Sequence, residues 1–416
     1  MIASGKRLTM KSDFTVPASR KMSLTGSNGV LDLQNTLTLS GTLEFAVPQT
    51  LDNGTLALNG GTLSVKDDVT ISSIIAHSSD STVDISSGST LTHSGGALNI
   101  GAKTLTLSGG GTFANVDQLV LNDAGGELEF SGDNITTVSH VKISSGDISN
   151  APTLKMSSNG VIQNLAHEEF SEINFASGKT LSITEAFEVP YGKQMTITGA
   201  AGTLTLGDNM TLSGTLNLPI ANTTISGGTV TLNGGTLQVD EDINFISDLA
   251  QQANSSIVVA NGKNLNYSGN VFNVGAQMLT LSGTGVFANT NNLTLNDPAS
   301  SLKLNGISRV DNVSISAALT SGKLEIAQNA TIGVLTHSGS SRIDIYNAKV
   351  LTLSNAFEIP DNKSMELIGS GGGTLSLNDK LTLKGTLKVS ASDILKDGTL
   401  SLNGGTLEVS EDASIS

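Results

Sequence analysis

The sequence predicts an all-β fold, a right-handed parallel β-helix (β-solenoid) with about 24 residues per coil and roughly 17 coils over 416 residues. Three observations support this prediction. Apolar and polar residues alternate in short runs, glycine, asparagine and aspartate separate the runs, and long stretches of the chain repeat one another. The composition indicates a thin aliphatic core, because the chain has no Trp and only 11 Phe and 3 Tyr.

The alternating runs are predicted to be half-buried strands. Two of them are Leu204-Thr205-Leu206 and Leu279-Thr280-Leu281. Successive side chains of a strand face opposite ways, so Leu206 and Leu281 should point into the core, and the threonine before each should point outward.

Turns are predicted where Gly, Asn and Asp cluster, as in SGG, LNGG and SGDN, because these residues tolerate positive φ. Helical periodicity is nearly absent. Residues 245–256 (FISDLAQQANSS) are the candidate for a turn of helix, and residues 158–170 (SNGVIQNLAHEEF) are a weaker one.

A repeat of about 170 residues runs through the chain. LNGGTLSVKDDVTI (58–71) is matched by LNGGTLQVDEDINF (232–245) and LNGGTLEVSEDASI (402–415). Pro17, Pro190 and Pro360 stand at equivalent positions, with intervals of 190 − 17 = 173 and 360 − 190 = 170. The internal repeat units are 4–176, 177–346 and 347–416, of which the third is truncated.

The alternation passes through the unit boundaries, so residues 1–416 are predicted to form one continuous β-solenoid, roughly 80 Å long at ~4.8 Å per coil. Each full unit holds roughly 18–21 strand-like runs, enough for about seven coils of three strands. A β-sandwich is the competing interpretation, but it would show a linker between copies. Because the copies are out of phase with both ends, we interpret the chain as a piece of a longer array.

The formal net charge is −15 and the pI is near 4.6. This acidity disfavours nucleic acid and anionic membranes as partners and favours solubility. The absence of Cys excludes disulfides and thiolate metal sites. No apolar run is long enough to span a membrane as a helix, and MIASGKRLTM has no apolar stretch of signal-peptide length.

An acidic pair, Asp67-Asp68, recurs as Glu241-Asp242 and Glu411-Asp412. Paired carboxylates can bind calcium or act as acid and base. The favoured interpretation is a solvated turn after a strand, because calcium loops supply several oxygen side chains and only two acids repeat here. Calcium binding at this turn stays open.

The five histidines are interpreted as structural residues at coil corners. They are His77, His93, His140, His167 and His337. His167 and His337 are equivalent, yet the two acids that follow the first are replaced by a serine and a glycine after the second. His93 is replaced by Tyr267. A catalytic or metal-binding histidine is expected to keep its partner.

Other candidates for chemistry are weaker. SSGDIS (144–149) resembles the GDSG run of serine proteases but lacks its serine, and Lys6, Lys179 and Lys349 repeat in turns where solvated lysines are common. No cluster of aspartates like that of polysaccharide-cleaving β-helix enzymes can be assembled from repeated residues. The sequence therefore predicts no catalytic, cofactor-binding or metal site, and the protein is not expected to be an enzyme.

Threonine runs raise ice binding as an alternative. They are Thr36/Thr38, Thr104/Thr106, Thr196/Thr198, Thr203/Thr205 and Thr229/Thr231. The simpler explanation is the high β-propensity of threonine. Equivalent positions carry residues such as Glu366 and Ser401, which would spoil a flat threonine face.

Three motifs carry a resemblance to a known class of proteins. LTLSGGGTF (105–113), GTLTLGDNMTLSGTL (202–216) and GTLSLNGGTLEV (398–409) resemble the passenger regions of bacterial autotransporters and the filamentous-haemagglutinin-like and giant repeat adhesins. The resemblance covers the whole chain. It implies a right-handed parallel β-helix, exported from a Gram-negative-type cell and serving as a stalk or fibre. No functional residue carries over.

The function expected from the sequence is therefore structural, a rigid and self-associating segment of an extracellular or cell-surface fibre, stalk or adhesin. The alternatives are a carbohydrate-binding or carbohydrate-cleaving β-helix and an ice-binding solenoid. Expected partners are other copies, the continuation of a longer repeat chain, or a glycan or cell-surface molecule. Nucleic acid binding, membrane insertion and cofactors are not expected.

Overall fold

The computed structural model describes residues 1–368, 372–390, 394–410 and 412–415. Within these residues every regular element is a β-strand. Parallel strands stack into a β-solenoid of about 18 turns with about 22 residues per turn. The predicted all-β parallel β-solenoid is confirmed, with coils slightly shorter and more numerous than expected. The difference arises because many corners are tight, as between Leu33 and Thr36 or Leu39 and Thr42.

The chain divides into two compact units, Met1–Asn209 and Met210–Ser416. In each unit a coil has three sides, and the strands on each side pair in parallel with the strands of neighbouring coils. Most strands cover one side, and a few run along two. Coils differ in length. Thr36 pairs with Thr55, an interval of 55 − 36 = 19, whereas Glu127 pairs with Thr153, an interval of 153 − 127 = 26.

The strands of the first unit fall on three sides. First-side strands are Arg7–Met10, Gly29–Leu33, Gln49–Asp52, Val69–Ile71, Thr90–His93, Thr112–Asn115 and Thr180–Ile183. Second-side strands are Phe14–Val16, Thr36–Leu39, Thr55–Asn59, Ile74–Ser79, Leu98–Asn99, Leu119–Leu121 and Phe187–Val189. Third-side strands are Lys21–Leu24, Thr42–Phe45, Thr62–Val65, Ser81–Ile85, Thr104–Ser108, Glu127–Phe130, Thr153–Met156, Ser171–Phe175 and Gln194–Gly199. Thr136–Ile143 and Gly160–His167 run along the first two sides, and Thr203–Leu212 pairs with Thr180–Ile183.

The second unit repeats this arrangement. First-side strands are Ile243–Phe245, Asn264–Tyr267, Val286–Asn289, Val350–Leu353, Thr374–Leu377, Ile394–Lys396 and Ser414–Ile415. Second-side strands are Asp248–Ala253, Phe272–Asn273, Leu293–Leu295, Phe357–Ile359, Lys380–Leu383 and Thr399–Leu402. Third-side strands are Thr215–Leu218, Thr236–Val239, Ser255–Val259, Met278–Gly283, Ser301–Asn305, Leu324–Ile326, Ser341–Ile345, Ser364–Ile368, Thr386–Val389 and Thr406–Val409. Thr224–Asn233, Arg309–Ile315 and Ala330–His337 run along the first two sides.

The core is a column of aliphatic side chains inside the coils. Leu43, Leu63 and Val83 stand in register on successive third-side strands and are at most 2% exposed. Leu206 and Leu281 are 3% and 0% exposed, and the threonine before each is half-buried on the outer face. The predicted inward and outward faces are confirmed at both positions.

The repeated LNGG run forms a corner that requires both glycines. The first, Gly60, Gly234 or Gly404, has φ between +83° and +86°, a conformation that glycine adopts without strain. A Cβ on the second would lie 2.4 Å from a carbonyl oxygen of the preceding coil at Gly61, and 2.3 Å and 2.5 Å from one at Gly235 and Gly405. The motif recurs because a tight corner and a close backbone approach recur with it.

Both predicted helical segments are wrong. Residues 245–256 contribute to the strands Ile243–Phe245, Asp248–Ala253 and Ser255–Val259, and residues 158–170 contain the strand Gly160–His167. The backbone of Asp248–Ala253 pairs with Thr229–Asn233 of the preceding coil. Neighbouring coils therefore override the local preference of DLAQQA for a helix.

Candidate functional site

The acidic pairs lie at corners, where the second acid caps a strand of the next coil. Asp68 Oδ1 accepts a hydrogen bond from the backbone N–H of Thr90 at 2.9 Å. The equivalent Asp242 Oδ1 accepts one from the N–H of Asn264 at 2.8 Å. Each of these carboxylates thus accepts a hydrogen bond from the backbone N–H group at the start of a strand. Glu411, the first acid of the third pair, lies outside the described residues. The same contact recurs at Asp13–Thr36, Asp80–Thr104, Asn159–Thr180, Asn254–Met278 and Asn329–Val350.

His167 and His337 repeat one geometry where the second side ends. Each is 5% exposed, and its Nε2 lies 2.8 Å from the Oγ of Ser171 or Ser341. Burial lowers the pKa of each imidazole from 6.5 to about 4. Both Nδ1 atoms are buried without a hydrogen-bond partner in the described parts of the chain. The two histidines are therefore neutral near pH 7, and each ring contacts a serine rather than an acid.

The other histidines contact backbone and amide atoms. His77 Nδ1 lies 2.8 Å from the carbonyl oxygen of Ile100. His140 donates its backbone N–H to Asn115 Oδ1 at 3.1 Å. His93 Nε2 lies 3.3 Å from the carbonyl oxygen of Ser73, and burial lowers the pKa of His93. These contacts hold the coils together and involve no acid that could activate an imidazole.

The remaining sequence candidates have local structural contacts. Asp147 of SSGDIS accepts hydrogen bonds from the backbone N–H groups of Ser149 and Asn150 at 2.8 and 3.0 Å, which forms an Asx turn. The repeated lysines share a backbone role, in which the carbonyl oxygen accepts an N–H from the next coil. These pairs are Lys6–Val30, Lys179–Thr203 and Lys349–Thr374, at 2.9, 2.9 and 2.8 Å.

The threonine runs lie on all three sides of the coils. Thr203/Thr205 is on the first side, Thr36/Thr38 and Thr229/Thr231 are on the second, and Thr104/Thr106 and Thr196/Thr198 are on the third. The four runs of the first unit therefore do not combine into one threonine surface.

Ion pairs join neighbouring coils along the third side. They include Lys21–Glu44, Lys66–Asp84, Lys155–Glu127, Lys303–Glu325, Lys323–Asp344 and Lys388–Glu408, with N···O distances of 2.6 to 3.4 Å. Glu325 is 7% exposed. Burial alone would raise its pKa, but hydrogen bonds from Lys303, Tyr346 and Lys323 lower it to about 2.

Within the described residues, no three His, Asp or Glu side chains form a group that could hold a metal ion. The structure does form a groove in the second unit that the sequence interpretation missed. Its volume is about 430 Å³, within the range of small-molecule sites. The lining residues come from successive coils: Asn244, Ile246, Asn266, Tyr267, Ser268, Ala288, Asn289, Thr290, Asp311 and Asn312.

The floor of the groove is a cluster of buried aromatic rings. Tyr267 is 1% exposed and stacks on Phe287, with ring centroids 5.8 Å apart, and its ring centroid also lies 6.2 Å from that of Phe245. Its hydroxyl donates to the carbonyl oxygen of Asn270 at 2.7 Å and accepts the N–H of Leu249 at 3.2 Å. These contacts hold the floor rigid.

Asn289 braces one wall of the groove. It is 1% exposed, and its Nδ2 donates to the carbonyl oxygens of Asn291 and Asn312 at 2.8 and 2.5 Å. Its Oδ1 accepts the N–H groups of Asp311 and Asn312, both at 3.1 Å. Asp311 pairs with Arg309, with 2.6 Å between Oδ1 and Nε.

Two amide side chains on the first side are free. Asn244 and Asn266 stand in register on adjacent coils, next to Ala288, and both are exposed. Neither side-chain amide hydrogen-bonds to another described residue. The first repeat has Thr70 and Thr92 at the equivalent positions (244 − 70 = 174 and 266 − 92 = 174). This replacement was the one signal in the sequence that distinguished the groove.

Comparison with known proteins identifies no relative. No protein-family model, no curated protein and no solved structure matches the chain. In the described part of the chain, no helix has the length and apolarity needed to cross a bilayer.

Proposed function

We propose that the chain is a structural repeat segment of an extracellular or cell-surface fibre, stalk or adhesin, in which it serves as a rigid spacer. The observation that supports this most directly is the in-register parallel pairing between coils. In the first unit, Met22, Leu43, Leu63 and Val83 stand in register on four successive coils. Each inner coil is thus hydrogen-bonded to both neighbours, which resists bending and local opening.

The features that recur between repeats also support a structural role. The glycine pair of LNGG, the strand-capping aspartates and the histidine–serine contact all keep the same geometry in more than one copy. The first two shape or cap backbone at a corner, and the third joins two buried side chains. The features that the repeats share are therefore the ones that form and join the coils.

The surface chemistry and the resemblance support the location. A net charge of −15 favours solubility of an exposed segment. The resemblance of LTLSGGGTF (105–113) and related runs to autotransporter passengers and repeat adhesins favours a bacterial cell surface. As partners we propose other copies of the chain, a longer repeat chain of which it forms part, or a glycan or other cell-surface molecule.

Location is tested by immunogold labelling of intact source cells, with an antibody to a cytoplasmic protein as control. We expect label on intact cells for this protein and none for the control. Label only after permeabilisation would overturn the surface location. Sedimentation equilibrium at rising concentration tests self-association, and a strictly monomeric protein at high micromolar concentration would remove that part of the proposal.

A further inference from the structure

We propose that the groove over Asn244, Asn266 and Ala288 binds an uncharged glycan chain. The inference stands on this groove alone and does not depend on the fibre role. It assigns a ligand class to a surface that differs between the two repeats.

The first argument is the supply of free hydrogen-bonding groups. Each of the unpaired amides of Asn244 and Asn266 offers two donor hydrogens and one acceptor oxygen. The exposed hydroxyls of Ser268 and Thr290 lie along the same groove. A ligand whose surface is covered with hydroxyls can both donate to and accept from this set.

The second argument is the small apolar surface between the amides. Ile246 is 51% exposed, and Ala288 lies in register beside Asn266. Sugar rings carry C–H faces between their hydroxyls, so they can pack on such a surface while their edges bond to the amides. A fully polar ligand would leave Ile246 in water.

The third argument is charge. Of the described residues that line the groove, Asp311 alone carries a charge, and Arg309 neutralises it at 2.6 Å. The groove therefore attracts neither a polyanion nor a polycation strongly. An uncharged ligand loses less solvation on entering it than a charged one.

The fourth argument is geometry. Neighbouring coils stand ~4.8 Å apart, so the amides form a short row along the stack of coils. The aromatic floor around Tyr267 and the brace formed by Asn289 hold that row in place before a ligand arrives. Such preorganisation lowers the entropic cost of binding. Two amides one coil apart can contact neighbouring sugars of a chain.

A second depression in the same unit lacks this chemistry. It has a volume of about 440 Å³ and is lined by Ser308, Asn329, Ala330, Thr331, Val350 and Thr352. It has a single side-chain amide, on Asn329, and the oxygen of that amide already accepts the N–H of Val350 at 2.9 Å. Two adjacent amides, both without a hydrogen-bond partner among the described residues, distinguish the groove at Asn244.

The test is saturation-transfer NMR and calorimetric titration of the full chain with neutral oligosaccharides. The probes are tetramers and hexamers of β-1,4-linked glucose, xylose and mannose and of α-1,4-linked glucose, with oligogalacturonate as the charged comparison. We expect the chain to bind at least one neutral series, hexamer more tightly than tetramer, and oligogalacturonate more weakly.

The test variant is Asn244→Thr with Asn266→Thr, which installs the residues that the first repeat carries at these positions and so should preserve the fold. Losing two ligand hydrogen bonds should raise Kd roughly tenfold. The matched control is Asn273→Thr, an exposed asparagine on the second side of the same coils, and its Kd should equal that of the wild type.

Three results would overturn the proposal. One is no binding of any neutral probe by the folded wild-type chain. Another is equal affinity in the wild type and the double variant, with melting temperatures showing that both are folded. The third is tighter binding of oligogalacturonate than of every neutral series.

Discussion

Leu281 and Thr280 are neighbours on one third-side strand that should respond differently to the same substitution. Leu281 is 0% exposed and stands in register with Ile257 and Leu304 of the adjacent coils. Thr280 lies on the outer face in register with Lys303. An aspartate at position 281 would be enclosed by aliphatic side chains, whereas one at position 280 would lie on the outer face beside Lys303.

The expected difference in stability is large. Truncating a fully buried leucine costs about 2–5 kcal/mol. Keeping the buried carboxyl neutral at pH 7 adds about 4 kcal/mol, from ~1.36 × (7 − 3.9). Leu281→Asp should therefore lower the free energy of unfolding by roughly 6–9 kcal/mol. Thr280→Asp should change it by less than about 0.5 kcal/mol, because the site lies on the outer face away from the core.

Urea unfolding followed by circular dichroism measures the global effect. Hydrogen exchange of the strand Met278–Gly283 measures the local one, because a solenoid can open a few coils without unfolding completely. Lowering the pH from 7 to 5 should shrink the deficit of Leu281→Asp by about 2.7 kcal/mol, since protonation then costs less. Equal losses in the two variants, or a deficit independent of pH, would refute the assigned faces.

Three further predictions concern titration and chemistry. His167 and His337 have folded-state pKa values of about 4 against 6.5, so the wild type should keep full stability above pH 6.5 and lose roughly 3 kcal/mol per histidine as the pH falls to 4. Changing both to Gln should flatten this dependence in melting curves at pH 7 and about 4.5, and an unchanged acid shift would contradict it. Glu325→Gln should lower the melting temperature at pH 7. The difference in melting temperature between wild type and variant should close as the pH falls from 4.5 towards 2, because the stabilisation by the charged Glu325 is lost in that range. A difference that stays constant would show that the ion pairs of Glu325 do not stabilise the fold. The purified chain should release no reducing ends from pectin-like or other polysaccharides, and depolymerisation that a point mutation abolishes would refute the absence of hydrolase or lyase activity.

The inner and outer faces of the strands could be predicted from the sequence because they depend only on the period of two along a strand. Leu206 and Leu281 are buried for this reason, and the threonines before them are not. The LNGG corners were also visible, since a glycine with positive φ is a local property of the chain.

The candidate turn of helix at residues 245–256 is wrong because its backbone pairs with another coil. DLAQQA contains good helix formers, but Asp248–Ala253 lies between coils whose open N–H and C=O groups need partners. Pairing with Thr229–Asn233 satisfies those groups, and a helix at this position would leave them unpaired. The strand that pairs with Asp248–Ala253 lies in the preceding coil, about 20 residues earlier in the chain. A periodicity of three to four residues along the chain does not show this pairing.

Three features can be read from the sequence alone: the all-β class, the repetition of the coils, and the side chains that enter the core. These follow from alternation, turn residues and self-similarity, all of which can be read along the chain. The residues that meet across coils are known only from the folded chain, because coil length varies. The coil between Thr36 and Thr55 is short, and the one between Glu127 and Thr153 is long. The strand caps, the third-side ion pairs and the row of Asn244 and Asn266 all depend on that register. A slip of one residue in the pairing register would move each such partner to the opposite face.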